Sequence, residues 1–213
     1  MPAAERQSAV VRLNVPFVGD EAALVNAIRD GNTSAKAELF RRYAPPLERL
    51  ITHVLGYDSE LADILQETFA AALRSLGGLK DPEALKPWLF SIATRTAKKA
   101  LRSRARRRWL RYFNDDEDEA LHEPSVEPQN PESMRAAREV YAILERLPVD
   151  DRLVFALRYI HELELVAVAM LCGVSLSTVK RRLQSAEKRF VAAAMKVPSL
   201  VDWIERGERW KIG

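Results

Sequence analysis

Apolar side chains recur along this chain at three- and four-residue intervals, the period of an α-helix, almost from end to end. Leu24 and Ile28 open the series, followed by Leu39, Phe40 and Tyr43. Asp20, and then Thr33 or Ser34, stand where a side-chain oxygen can accept the first backbone N–H groups of a helix. Pro45–Pro46 is expected to kink or restart the second helix before Leu47, Leu50, Ile51 and Val54, and Gly56 to end it. A third helix is predicted from Asp58–Ser59, with Leu61, Ile64, Leu65, Phe69, Leu73 and Leu76 on one side and Gly77–Gly78 as its stop. Asp81–Pro82–Glu83 reads as a cap followed by a first-turn proline, and Pro87 restarts the run. From there to about Arg106 the spacing predicts a long helix that buries Trp88, Leu89, Ile92, Thr96, Ala100 and Leu101.

The period then stops. Asn114–Pro131 has three prolines, many acids and no apolar repeat, which marks a domain boundary and a mobile linker. Beyond it the pattern predicts helices over Met134–Leu147 (Ala137, Val140, Tyr141 and Leu144 inward, Pro148 as the stop), Asp150–Tyr159 and Leu163–Leu171. The turn Cys172–Gly173–Val174–Ser175 leads into a last helix running to about Met195. Two helices of limited length joined through a glycine form a helix-turn-helix pattern. In its second helix Val179, Leu183 and Ala186 point inward, leaving Ser177, Thr178, Lys180, Arg181 and Gln184 outward, a set suited to a DNA major groove. The chain therefore reads as all-α, with two small helical domains (20–112 and 132–195) joined by an acidic flexible linker (113–131). An extension (1–19) precedes them and a tail (196–213) follows. The tail holds Leu200, Val201, Trp203, Ile204 and Trp210, a short helix against the second domain that serves either plain packing or a regulatory contact.

Composition narrows the class. Of 213 residues 47% are hydrophobic and 30% charged, enough for a packed core and against disorder. One cysteine, Cys172, excludes an internal disulfide framework and a cysteine-based zinc site. No apolar run approaches the 18 or so residues of a membrane span, and Met1–Asp20 lacks a signal-peptide core. The expectation is a soluble, cytoplasmic protein with no membrane insertion.

The net charge of +3 says little until it is placed. Nine basic residues and no acids lie between Arg95 and Arg111: Arg95, Lys98, Lys99, Arg102, Arg104, Arg106, Arg107, Arg108 and Arg111. Asp115–Glu119 then reverses the sign, and Lys180, Arg181, Arg182, Lys188 and Arg189 restore it. Pairing within a helix cannot neutralise so one-sided a run, whereas a polyanion relieves its self-repulsion. A solvated face is the plainer reading of any one such run. Two basic patches flanking an acidic spacer point instead to two contacts on one nucleic acid.

Other chemistry is sparse. Asp63, Gln66 and Glu67 fall at i, i+3 and i+4, so one helical face carries two carboxylates and an amide. As metal ligands they lack a third partner at a suitable spacing, and His53, His122 and His161 belong to no recognisable ligand set. Cys172 reads as a small buried hydrophobe, with a redox role the alternative. No nucleophile–base pair or phosphate loop is present, so no enzyme, metal or cofactor is expected.

Ordered motifs go further. Phe40–Arg41–Arg42–Tyr43–Ala44–Pro45, Asp63–Ile64–Leu65–Gln66–Glu67–Thr68–Phe69 and Trp88–Leu89–Phe90–Ser91–Ile92–Ala93 occur in the first half. Leu147–Pro148, Val154–Phe155–Ala156–Leu157–Arg158, Gly173–Val174–Ser175, Thr178–Val179–Lys180 and Arg182–Leu183 occur in the second. With these the chain resembles the bacterial extracytoplasmic-function (ECF) sigma factors of the sigma-70 family, in their two-domain form, over about 22–108 and 131–191. The resemblance implies that Asp63, Gln66 and Glu67 dock on the clamp coiled coil of core RNA polymerase. It implies that the loop Gly77–Glu83 with Lys80, and Trp88, Arg95, Lys98, Lys99, Arg102, Arg104, Arg106, Arg107 and Arg108, take the −10 region, partly as single strand. Trp88 also falls in phase with the core. Ser175, Ser177, Thr178, Lys180, Arg181, Arg182 and Gln184 are implied to read the −35 duplex. The acidic linker then threads a basic channel of the polymerase or masks the basic patches. An anti-sigma protein is implied as a partner.

This chain departs from the family pattern at Arg95 (usually Asn), Lys99 (usually Asp), Ala167 (usually Glu) and Ser177 (usually Gly), and the late basic pair of the recognition helix is reduced by Ser185 and Glu187. Two other readings stand beside the promoter-specificity subunit. One is a stand-alone helix-turn-helix regulator; the other is a sigma-like module that sequesters polymerase or an anti-sigma protein.

Overall fold

In the computed structural model, which describes residues 17–57, 59–113 and 131–205 (side chains over 17–57, 59–110 and 135–201), every regular element is helical. Helix α1 (Glu21–Arg29) starts as expected at Asp20, whose carboxylate accepts the Ala23 N–H at 2.8 Å. Helix α2 (Thr33–Leu55) is capped by Asn32, not by Thr33 or Ser34: the Asn32 Oδ1 accepts from Ala35 N–H at 3.1 Å.

Of the kink or restart expected at Pro45–Pro46, the restart does not occur: α2 runs 23 residues through both prolines. An interior proline costs a helix about 3 kcal/mol. Nine buried residues on one face of α2, among them Leu39, Leu47, Leu50, Ile51 and Val54, outweigh that, at ~1.5–3 kcal/mol for each large side chain. Gly56 ends the helix at φ +82°.

Helix α3 (Leu61–Ser75) starts two residues later than the sequence pattern placed it. Its buried stripe is Ile64, Leu65, Thr68, Phe69 and Ala72, so Leu73 lies off the core, 39% exposed. Thr68 can occupy a buried position because its hydroxyl donates to Ile64 O at 2.8 Å. Two 3₁₀ turns, Leu76–Gly78 and Pro82–Ala84, lead to α4 (Leu85–Phe113), which is longer at both ends than expected. Pro87 lies in its first turn, where a backbone N–H has no helical acceptor anyway. Leu85, Leu89, Ile92, Ala93, Ala97 and Leu101 are buried, while Trp88 and Ala100 are half-buried.

After the segment 114–130, which lies outside the described residues with the expected acidic linker, come α5 (Pro131–Leu144), α6 (Val149–Phe155), α7 (Leu165–Cys172), α8 (Leu176–Ala194) and α9 (Pro198–Glu205). The single helix expected over Asp150–Tyr159 is α6 continued by a wide π turn, Ala156–Ile160, closed by His161 N–H on Ala156 O at 2.8 Å. Gly173 turns the chain at φ +63° between α7 and α8. Phe155 of α6 stacks on Phe190 of α8 with ring centroids 4.9 Å apart, both fully buried, and Leu200 of α9 closes the far side of α8.

Both domains are helical as the pattern implied, yet their apolar side chains form one continuous core. Helix α4 packs on α6 and α7, and α2 packs on the π turn. Arg152 of α6, 4% exposed, donates to Leu55 O at 3.0 Å and to Val54 O at 3.3 and 3.4 Å, and the Tyr141 hydroxyl donates to His53 O at 3.0 Å. No helix among the described residues is long and apolar enough to cross a membrane. The ends of the chain, 1–16 and 206–213, lie outside the description.

Candidate nucleic-acid interface

Three surfaces carry the candidate residues. On α3 the buried stripe turns Asp63, Gln66 and Glu67 to solvent together. Glu67 meets Lys99 of α4, Nζ to Oε1 2.7 Å, so the acidic face and the basic helix touch at this one point.

On α4 the basic residues divide. Arg95 and Lys99 are exposed and, with Arg74 and Ser75 of α3, line a groove of ≈ 440 Å³ floored by Ala71, Ile92 and Thr96. Arg74 was not singled out by sequence; it lies outside the long basic run. Lys80 is exposed in the turn before Asp81, and Trp88 is half-buried against the core; neither lines the groove. Lys98 faces the other way, 22% exposed, with its Nζ 2.6 Å from Asp150 Oδ1 on α6. Arg102 is exposed and contributes to the positive potential at Asp150. Arg104 is turned inward to Glu60 (Nε–Oε2 3.3 Å) and Leu55 O (3.4 Å). Arg107 also reaches Glu60, at 3.2 Å, and Arg108 meets Glu145, in the turn after α5, at 3.8 Å. Arg106 is exposed.

The third surface is α8. Ser177, Lys180, Arg181 and Gln184 form one exposed stripe, i, i+3, i+4 and i+7, opposite Val179, Leu183, Ala186 and Phe190. Ser175 is the N-cap, its Oγ accepting from Thr178 N–H at 3.2 Å and touching the Ser177 and Thr178 hydroxyls at 2.9 Å. Arg182 leaves the stripe: 18% exposed, it pairs with Asp150 at 2.9 Å. Helix α7 has no charged side chain, so its share in any phosphate contact is backbone only.

Asp150 thus joins a lysine of α4 to an arginine of α8. Burial pushes its carboxyl up, but the hydrogen bond and charge of Lys98, with Arg182 and Arg102, outweigh burial and hold it below the usual carboxylate range. Cys172, half-buried near Lys98, has its thiol pushed up to about 11 by burial. Two of the histidines meet: His53 Nδ1 and His161 Nδ1 are 3.0 Å apart across the two domains. No set of three or more metal-ligating side chains converges among the described residues, and His122 lies outside them.

Known protein families match both halves of the chain. The family model described as Sigma-70 region 2 matches residues 39–107, and that described as Sigma-70, region 4 matches 137–190. The chain is 30% identical over 137 residues to the RNA polymerase sigma factor SigV of Bacillus subtilis, covering 64% of this chain and 76% of that one. It is 28% identical over 171 residues to the ECF RNA polymerase sigma-E factor of Escherichia coli K12, covering 78% and 89%. Among solved structures, CnrH in complex with the cytosolic domain of CnrY is similar in fold, with a TM-score of 0.53 and 21% identity over 81% of this chain and 95% of that one. The sigma factor RpoE from Bartonella quintana, in complex with the anti-sigma factor NepR, gives a TM-score of 0.53 and 20% identity over 76% and 97%.

Proposed function

The chain belongs to the ECF group of the sigma-70 family, with a region 2 and a region 4, and from that premise we propose that it is a promoter-specificity subunit of this particular division of labour. Asp63, Gln66 and Glu67 dock on core RNA polymerase; the groove between α3 and α4 takes the −10 strand; the α8 stripe reads the −35 duplex. The family works by binding core RNA polymerase and recognising promoters, and its members are not enzymes.

One observation carries the reading: the exposed acid–amide face of α3 and the exposed reading stripe of α8 occur in one chain. A regulator that bound DNA alone would need only the second. Arg74, Arg95 and Lys99 offer three cations to a strand's phosphates, a contact that adds salt dependence rather than sequence preference. Arg181 and Gln184 can each make paired hydrogen bonds to a base edge, worth ~1–3 kcal/mol of discrimination. Strand opening is driven by that binding energy, and RNA synthesis stays with the polymerase. A protein partner such as an anti-sigma factor belongs to the same reading, supported by the partners in the two similar solved complexes.

The test is promoter-directed transcription with purified core RNA polymerase and a pool of genomic promoter fragments. Specific initiation should be lost in Asp63→Ala/Glu67→Ala, and its −35 preference relaxed in Arg181→Ala. Core binding without initiation would indicate a sequestering module, and DNA binding without core binding a stand-alone regulator.

A further inference from the structure

The second half of the reading helix α8 bonds back into its own domain. Its core side holds Phe190, stacked on Phe155 of α6, with Val179, Leu183 and Ala186 also buried. Polar ties run along both margins of that core. Asp150 and Asp151, in the first turn of α6, reach one margin: Arg182 Nη2 lies 2.9 Å from Asp150 Oδ2, and the Ser185 hydroxyl donates to Asp151 Oδ2 at 2.7 Å. On the other margin the hydroxyl of Tyr159, in the π turn that follows α6, donates to Glu187 Oε1. The Tyr159 ring is steadied by Phe155, with centroids 4.9 Å apart. Asp150 is shared with Lys98 of α4, whereas the Ser185 and Glu187 ties belong to region 4 alone.

Helix geometry sets these two ties against each other. Each residue advances about 100° around the axis, so Ser185 and Glu187 project ~160° apart, and the stripe of Ser177, Lys180, Arg181 and Gln184 lies within that arc. Bonds on both sides of the stripe resist rotation of α8 about its own axis. Apolar contact is non-directional and resists it less. A roll of ~20° would carry a side-chain tip roughly 6 Å from the axis through ~2 Å. That is enough to take an Arg181 or Gln184 donor out of hydrogen-bond range of a base edge. Ser185 and Glu187 are also the residues that reduce the late basic pair of the family pattern. Two positions that would add sequence-independent phosphate attraction make internal bonds instead, so recognition by α8 leans more on aim.

We propose that Asp151 and Tyr159 are positioning residues for −35 recognition: through Ser185 and Glu187 they hold the reading helix from both sides at a fixed roll. This role rests on the reading of α8 as the −35 helix.

The test is DNA binding by holoenzyme made from core RNA polymerase and the full chain. The probes are a promoter fragment recovered from the genomic pool, the same fragment with each −35 base pair replaced in turn, and a fragment of scrambled sequence. Ser185→Ala and Tyr159→Phe each remove one hydroxyl. Each alone should lower the preference for the matched −35 element about twofold, because the other bond still limits the roll. Together they should lower it about tenfold, more than the product of the two. Binding to the scrambled fragment, and its salt dependence, should match the parent. Asp151→Asn keeps an acceptor for Ser185 and should behave as the parent, whereas Asp151→Ala should behave as Ser185→Ala. If circular dichroism shows that the double variant fails to fold, the contrast between the two Asp151 variants decides the matter. An unchanged preference in the double variant overturns the proposal. So does a loss shared equally by the scrambled fragment, which is what plain destabilisation would give. A parent that prefers no −35 base pair removes the −35 reading itself and this role with it. A parent that discriminates, beside a double variant that discriminates as well, removes only the positioning role.

Discussion

Lys99 reaches from α4 to Glu67 on α3, Nζ to Oε1 2.7 Å, and so ties the candidate DNA groove to the candidate polymerase face. Both side chains are largely exposed, and such pairs contribute ~0–1 kcal/mol. Lys99→Asp, which restores the residue usual in the family and sets carboxylate against carboxylate, should therefore change stability by less than about 1 kcal/mol. Its effect belongs to DNA binding. The dependence of log affinity on log salt for the holoenzyme on promoter DNA should fall by about 1, measured by fluorescence anisotropy across a salt series.

The histidine pair gives the form in which regions 2 and 4 are joined a pH dependence. At 3.0 Å one Nδ1–H donates to the other ring's lone pair, and a second proton would set two N–H groups face to face. Burial lowers both pKa values. The neighbouring imidazole and Arg49 add to this at His161, taking it to about 4; Arg49 adds to it at His53, and Glu162 opposes it there. On opening, each ring returns toward ~6.5. The open form thus binds more protons, and the joined form is fully favoured above pH ~6.5 and weakens as pH falls toward 4. The open fraction, read by energy transfer between dyes at Glu83→Cys and Lys188→Cys in a Cys172→Ser background, should rise a few-fold between pH 7.5 and 5.5, and His161→Asn should flatten that profile.

Two glycines separate backbone strain from packing. Gly56 and Gly173 both have positive φ, +82° and +63°. A Cβ on Gly173 meets nothing within 4 Å, whereas one on Gly56 meets the Tyr141 ring at 3.1 Å. Gly173→Ala should cost ~1 kcal/mol from backbone alone. Gly56→Ala should cost more and should also loosen region 4. Urea unfolding of the two variants, with the transfer measurement for the second, checks both.

With its pKa near 11, Cys172 is almost wholly thiol at neutral pH. Iodoacetamide at pH 7.5 should alkylate it at least ~100-fold more slowly than a free cysteine, by mass spectrometry, because only the thiolate reacts. Arg152→Met, which exposes the α4–α7 contact, should speed that reaction.

Much of this was legible in the sequence because helices report themselves locally. The buried stripe of α8, part of that of α4, the Asp20 cap and the Gly173 turn follow from spacing and residue type alone. At two of the misjudged points tertiary packing set the outcome. Pro45–Pro46 should break a helix, yet the buried face of α2 carries it through. Leu73 is as apolar as its neighbours but falls one position off the stripe set by Thr68 and Ala72. The surfaces were legible in part. The α8 stripe followed from phase, whereas the split of the α4 basic run into Arg95 and Lys99 on one side and Lys98 and Arg104 on the other depended on what packs against each. Nothing near Arg152 in the chain announces its partners, which lie almost a hundred residues away.

Those partners are main-chain carbonyls. Every amino acid supplies the same carbonyl, so no side-chain replacement at residues 54 and 55 can delete the acceptors of Arg152 while α2 keeps its end. At the carbonyls themselves the burden of inheritance is therefore lopsided: residues 54 and 55 can change side chain, and region 4 must keep one arginine. Among relatives, loss of these particular bonds should trace to changes at the position of Arg152 or to a shortened α2, not to the side chains at 54 and 55.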